Sequence, residues 1–230
     1  MDKYSILKQY YGHSAFRAGQ EALIDAILSG RDALCVMPTG GGKSLCYQIP
    51  ALLLPGITLV VSPLISLMKD QVAALKSAGV PAAYINSSLT GEQIRTVYAR
   101  TRKGAYKLIY VAPERLETNS FLSLMQEMDV SFLAVDEAHC ISQWGQDFRP
   151  SYLGIVDFIN ALPRRPIVAA YTATATKQVQ SDILRLLQLQ SPYRIVTGFD
   201  RPNLYFDVRR PKNKFSALAA LIDERRERSG

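Results

Sequence analysis

Long apolar runs are missing from this 230-residue chain. No stretch approaches the ~18 apolar residues a bilayer-spanning helix needs, so no transmembrane segment is expected. Cysteine is scarce. Cys35, Cys46 and Cys140 are the only three, and their spacing matches no paired metal-ligand pattern. They are expected to stay reduced, with Cys35 and Cys46 serving as small buried hydrophobes. The start, Met1-Asp2-Lys3-Tyr4, lacks the basic-then-apolar form of a secretory leader. Internal repeats and low-complexity segments are also missing. Acidic residues are fewer than basic ones, 20 against 27, which leaves a net charge of +7. That surplus suits a polyanionic partner without identifying one. These features fit a cytoplasmic protein, and a monomer is the default expectation.

The length suits one large domain that buries roughly 70–75% of the surface its unfolded chain exposes. Short apolar, β-branched runs recur at 33–37, 58–62, 82–85, 107–111, 132–136 and 167–171. Several are continuous rather than alternating, as expected of strands covered on both faces. Helical periodicity fills the gaps. In 18–29, Leu23, Ile24, Ile27 and Leu28 share one helical face. The helix over 90–102 opens on Thr90 and Gln93 in capping-box spacing. Four basic residues between Arg95 and Lys103 read as a solvated face. Strand–helix alternation predicts an α/β fold, with a mostly parallel sheet flanked by helices on both faces. Ligands of such sheets bind beyond the carboxyl ends of the strands.

Met37-Pro-Thr-Gly-Gly-Gly-Lys-Ser44 follows one predicted strand and opens a helix. The loop Thr39, Gly40, Gly41 and Gly42 can turn its backbone N–H groups inward, and the positive end of the following helix points the same way. Lys43 can reach β- and γ-phosphates, and the Ser44 hydroxyl can ligate Mg²⁺. Met37 stands where the generic phosphate-loop motif begins with glycine. A second strand ends in Asp136-Glu137-Ala138-His139. There Asp136 suits Mg²⁺, Glu137 suits the base that orients the attacking water, and His139 suits a coupling role. The chemistry implied is ATP hydrolysis with ATP and Mg²⁺ as cofactors.

Several further segments carry a family resemblance. They are Phe16-Arg-Ala-Gly-Gln20, Val61-Ser-Pro-Leu-Ile-Ser-Leu-Met-Lys-Asp-Gln71, Tyr110-Val-Ala-Pro-Glu-Arg115, the aromatic loop running from Ile141 through Trp144 to Arg149, Tyr171-Thr-Ala-Thr-Ala-Thr176 and Arg201-Pro-Asn203. With the phosphate loop and Asp-Glu-Ala-His, in this order, the chain resembles the RecQ family of superfamily 2 DNA helicases. The resemblance runs from about Tyr10 to Asn203 and has a bacterial RecQ-like character. It implies a RecA-like first motor lobe, a 3′→5′ DNA helicase as the parent activity, and a second lobe that supplies an arginine finger.

Set beside each match, the residue chemistry gives roles. Gln20 carries the donor and acceptor that suit the edge of adenine. Arg17 either contacts the nucleotide or fixes Gln20. His13 either stacks on the base or lies in a surface loop. Ser62 and Lys69 can bind phosphates of a single strand. Arg115 contacts a phosphate or braces the neighbouring loop. Trp144, the only tryptophan, with Phe148 and Arg149, forms a candidate DNA-binding loop in which Trp144 stacks on a base or else anchors the loop. Thr172 and Thr174 can bond back toward the acidic segment. The expected division is a lobe over 1–208 and a connector helix over 209–230 leading to the second lobe, with single-stranded or junction DNA as partner. Slow or no turnover is expected of the lobe alone. A binding module without turnover and an RNA helicase lobe are the alternatives.

Overall fold

A computed structural model describes residues 1–198 and 207–226. The chain groups into two units, Met1–Gly198 and Phe199–Gly230. In chain order the first unit holds α1 (Lys3–Tyr11), α2 (Gln20–Leu28), β1 (Ala33–Val36), α3 (Lys43–Leu53), β2 (Ile57–Val61), α4 (Ile65–Ser77), β3 (Ala82–Ile85), α5 (Gly91–Arg102) and β4 (Leu108–Val111). It continues with α6 (Pro113–Leu116), α7 (Asn119–Glu127), β5 (Val130–Val135), α8 (Gly154–Ala161), β6 (Ile167–Thr172), α9 (Lys177–Leu186) and β7 (Tyr193–Val196). Short 3₁₀ turns cover Ala138–Ile141 and Pro150–Tyr152. In the second unit α10 (Lys214–Glu224) is capped by Asn213, whose side chain accepts from Ser216 N at 3.2 Å. The segment Arg201-Pro-Asn203 lies outside the described residues. No helix among the described residues is long and apolar enough to cross a membrane.

The seven strands form one sheet in the order β3-β4-β2-β5-β6-β1-β7, and every recorded pair is parallel. Side chains alternate between two cores. Leu34, Val36, Leu133 and Val135 pack beneath α5, α7, α8 and α9 with Phe121, Phe158 and Ile183. Cys35, Phe132, Ala134 and Tyr171 pack beneath α2, α3 and α4 with Leu23, Tyr47 and Val72. This two-sided burial is why the central strands read as unbroken apolar runs. The six strand predictions each meet an observed strand. β7 escaped them because it is a four-residue edge strand in which Arg194 and Val196 face outward and only Tyr193 and Ile195 are covered. Thr90 caps α5 in a full capping box with Gln93. All three cysteines are free and buried.

At the amino-terminal edge of the sheet a buried carboxylate ties three segments together. Asp32 accepts from Arg165 Nη1 and Nη2 at 3.1 and 2.6 Å, from Val168 N at 2.8 Å and from Gln190 N at 2.7 Å. It thereby fixes the entries to β1 and β6 and the approach to β7. Removing the carboxylate leaves a guanidinium and two amides without their acceptor. Asp32→Ala is expected to cost about 3 kcal/mol, the lower end for breaking a buried pair because the Arg165 side chain keeps partial access to water. Urea melts followed by circular dichroism would measure it, and a loss near zero would show that the clamp is not needed.

Candidate functional site

β1 delivers its chain to the carboxyl edge at Met37, whose N–H donates to Thr172 O of the neighbouring β6 at 3.1 Å. The loop from Pro38 then turns through Gly42, at φ +84°, into α3. The backbone angle demands glycine here, and a Cβ on Gly42 would lie 2.2 Å from Gln20 Nε2 and push that amide aside. α3 begins at Lys43, which aims its first free N–H groups into the loop. Lys43 Nζ curls back and donates to Met37 O at 3.0 Å. Beneath the loop lie the buried rings of Tyr47, Tyr110 and Tyr171.

On the other side of β6, β5 ends at Val135 and releases Asp136 and Glu137. Asp136 is only 7% exposed. Its N–H donates to Val61 O at 2.8 Å, its Oδ1 accepts from Glu137 N at 3.0 Å, and its carbonyl accepts from Tyr152 Oη at 2.8 Å. Burial pushes its carboxyl up to about 6, and the neighbouring Glu137 charge adds to the rise. The Glu137 amide and the Lys43 ammonium only partly oppose it. Glu137 itself adopts φ 47° and ψ 44°, a left-handed conformation that costs a non-glycine residue about 1–2 kcal/mol.

That turn brings Glu137 Oε2 to 3.3 Å from His139 Nδ1. The same ring nitrogen lies 2.9 Å from Thr172 Oγ1. Thr172 already gives its hydroxyl proton to Thr174 O at 3.0 Å. Its oxygen therefore accepts, and His139 carries its hydrogen on Nδ1. The end of β6 is thus joined to the acidic segment through the Thr172 hydroxyl as expected, whereas Thr174 takes part through its backbone, bonding Thr172 rather than the acidic segment.

A cavity of about 450 Å³ opens between these two strand ends. His13, Arg17, Gln20, Thr39, Gly40, Gly42, Lys43, Ser44, Asp136 and Glu137 line it, and all ten are sequence-derived candidates. Gly41 and His139 stand behind them. Ala15, Leu45 and Leu67 complete the wall without having been singled out, since nothing in their spacing marks an apolar liner. His13 and Arg17 are exposed. Gln20 has both of its amide atoms engaged within the chain. It is buried, its Oε1 accepts from Arg17 N at 2.8 Å, and its Nε2 donates to Gly41 O and Gly42 O at 3.3 and 3.2 Å. Arg17 Nη1 donates to Gly40 O, so both residues hold the phosphate loop from above.

The candidates for a strand contact scatter more widely. Ser62 corrects the sequence reading. It is 1% exposed at the covered end of β2, and its Oγ has no hydrogen-bond partner, so it is not a surface contact. Lys69 is exposed on α4, and Arg115 is half-buried on α6. Trp144 is 74% exposed, which removes the reading of it as a packed anchor. Phe148 is half-buried. Arg149 pairs with Asp147 at 2.7 Å and donates to Pro63 O at 3.4 Å, which ties the aromatic loop to the segment after β2. Sequence reasoning missed Tyr152 and the bond from Ser142 Oγ to Asp182 Oδ2 at 2.7 Å, because no local pattern signals them.

The DEAD/DEAH box helicase family model matches residues 17–182, which span the loop, the acidic segment and the β6 turn. The chain is 48% identical over 227 residues to the ATP-dependent DNA helicase RecQ of Bacillus subtilis, covering 98% of this chain and 38% of that protein. It is also 48% identical over 226 residues to the RecQ of Haemophilus influenzae, covering 98% of this chain and 36% of that one. The chain thus spans well under half the length of these relatives. Among solved structures, the Hef helicase domain of Pyrococcus furiosus shares the fold, with a TM-score of 0.61 at 22% identity over 78% of this chain and 38% of that one. With a lysine-tipped glycine loop and an Asp-Glu-Ala-His segment meeting at one crevice of a parallel sheet, this chain belongs to the DEAD/DEAH box helicase family and is similar to RecQ-type helicases along nearly its whole length.

Proposed function

We propose that this chain is the ATP-binding lobe of a RecQ-type DNA helicase that couples ATP hydrolysis to 3′→5′ movement on single-stranded DNA and to duplex unwinding. One observation carries the reading: Lys43 and Ser44 after β1, and Asp136 and Glu137 after β5, line one cavity on either side of β6. Residues 1–208 then form the first RecA-like lobe, and 209–230 lead toward a second lobe in the longer protein. The Bacillus subtilis and Haemophilus influenzae relatives are named DNA helicases, which favours DNA over RNA as partner.

In this reading the amides of the glycine loop and the Lys43 ammonium bind the β- and γ-phosphates. Arg17 and Gln20 exchange their bonds to the loop for contacts with the nucleotide, and His13 lies beside the base. Mg²⁺ fits the donors present. A hydroxyl at Ser44 and a carboxylate at Asp136 are hard oxygen ligands, and the upward push on Asp136 marks a buried charge short of positive partners. Mg²⁺ bound there would neutralise charge developing on the phosphate oxygens. Glu137 accepts the proton of the attacking water, and His139, held by Thr172, keeps the Glu137 carboxylate turned to its task. Trp144, with Lys69, Arg115, Phe148 and Arg149, contacts the strand.

Three outcomes follow. Lys43→Ala should weaken binding of N-methylanthraniloyl-ADP by about tenfold or more, the scale of a charge-assisted phosphate contact. Unchanged fluorescence titrations would remove the cavity as the nucleotide site.

The second concerns pH. The folded pKa of Asp136, about 6, lies above its ordinary 3.8, so the folded chain prefers the neutral form. The stability this gives is fully present below pH 3.8 and lost as pH rises through 6. At pH 7–8 the ionised carboxylate costs on the order of 3 kcal/mol. Asp136→Asn should therefore raise the Tm of the ligand-free chain at pH 7–8, with the gain fading toward pH 4, even though Mg²⁺-dependent turnover is lost. A Tm that does not rise would contradict the strained-charge account.

The third concerns the strand. Trp144→Ala should weaken oligothymidylate binding by about 5- to 150-fold, the range for one lost base stack. Anisotropy of a labelled strand would report it.

A further inference from the structure

The aromatic loop leaves the acidic segment as a tight turn built around Ser142. Gly145 N donates to Ser142 O at 2.9 Å, and Trp144 N donates to Ser142 Oγ at 3.2 Å. A Cβ on Gly145 would lie 2.3 Å from His139 O, so the turn is pressed against the backbone of the histidine that faces Glu137. At its far end Arg149 N donates to Cys140 O at 2.8 Å and closes the loop. Trp144, at the tip, is mostly in solvent, so apolar packing does not set its position. A cavity of about 400 Å³ separates the tip from α9, with Trp144 and Phe148 on one wall and Gln178 and Leu186 on the other.

One polar link crosses that gap. Ser142 Oγ donates to Asp182 Oδ2 at 2.7 Å, and both residues are buried, at 1% and 7% exposure. The other carboxylate oxygen accepts from Arg185 Nη2 at 3.1 Å. Asp182 sits on the inner face of α9 between Val179 and Ile183, which are fully packed. A carboxylate there adds nothing to the apolar core, but it can hold one hydroxyl in one place. α9 starts immediately after the turn in which Thr172 holds His139. The β6–α9 unit therefore grips the chain at two points, at His139 just before the aromatic loop and at Ser142 at the base of its tip.

We infer that Asp182 is the positioning residue of the aromatic turn: through Ser142 it sets where Trp144 meets a single-stranded base, and it ties movement of that turn to α9. Asp182 lies outside the cavity lined by Lys43 and Asp136 and acts through Ser142. The inference rests on the proposed strand contact of Trp144 for its consequence, but not for its structural content.

The sole tryptophan makes the turn directly visible by intrinsic fluorescence. Asp182→Ala and Ser142→Ala should each lower the steady-state anisotropy of Trp144 and increase its quenching by iodide. They should weaken oligothymidylate binding by about tenfold, the scale of one lost hydrogen bond to a charged group, while N-methylanthraniloyl-ADP affinity stays within about twofold. Asp182→Asn keeps an acceptor oxygen and should restore both signals to near the parent values. Circular dichroism melts check folding. Ser142→Ala removes a single hydroxyl, so it decides the matter if Asp182→Ala does not fold. Unchanged anisotropy in Ser142→Ala, or Asp182→Asn behaving like an alanine variant, would overturn the inference. If Trp144→Ala itself leaves oligothymidylate binding intact, the strand-contact reading fails, and the anisotropy result still decides the role of Asp182.

Discussion

A parallel sheet with both faces covered has room for charged side chains only at its strand ends, and the rest of this molecule follows from that constraint. The two cores on either side of the sheet are almost wholly apolar. Of the three buried aspartates among the described residues, Asp182 lies on α9, and Asp32 and Asp136 lie at opposite strand ends, where they meet opposite treatment. Asp32, at the amino-terminal edge, accepts from a guanidinium and two backbone amides and serves as a clamp. Asp136, at the carboxyl edge, has one recorded amide for its carboxylate, and its pKa is pushed up to about 6. One charge is satisfied by the chain itself. The other has one recorded donor, and in the proposed reading a bound cation completes it, a trade of stability for function.

β6 turns this edge into a connected device. It lies between the strand that delivers the phosphate loop and the strand that delivers the acid. Its last residue, Thr172, accepts a hydrogen bond from His139 Nδ1 at its hydroxyl and one from Met37 N at its carbonyl, so it touches both halves of the crevice. The helix that follows carries Asp182 to the base of the aromatic turn. A shift at either end of the loop is felt by the same strand–helix unit. In the proposed reading this gives a physical route between hydrolysis and strand contact, built from hydrogen bonds present in the fold.

The local patterns were legible because each is fixed by near neighbours. Continuous apolar runs announced the buried strands, since two-sided burial removes the polar alternation. The glycines at 40–42 followed by Lys43 and Ser44 announced a tight turn that opens a helix, and the capping box at Thr90 was readable from three residues' spacing. β7 was not legible, because an edge strand with Arg194 facing water carries too weak a signal. Ser62 was misjudged because its position just after a strand does not reveal that neighbouring segments close over its hydroxyl.

The sequence alone determined the fold class, the two chemical motifs and the order in which they occur, because these depend on residue type and short-range periodicity. Only the tertiary structure decided that Gln20 holds the loop's carbonyls, that Trp144 stands free of the core, and that Ser142 meets Asp182. Those contacts join residues many positions apart, and the packing of β6 and its neighbours, rather than any local pattern, brings them within hydrogen-bond reach.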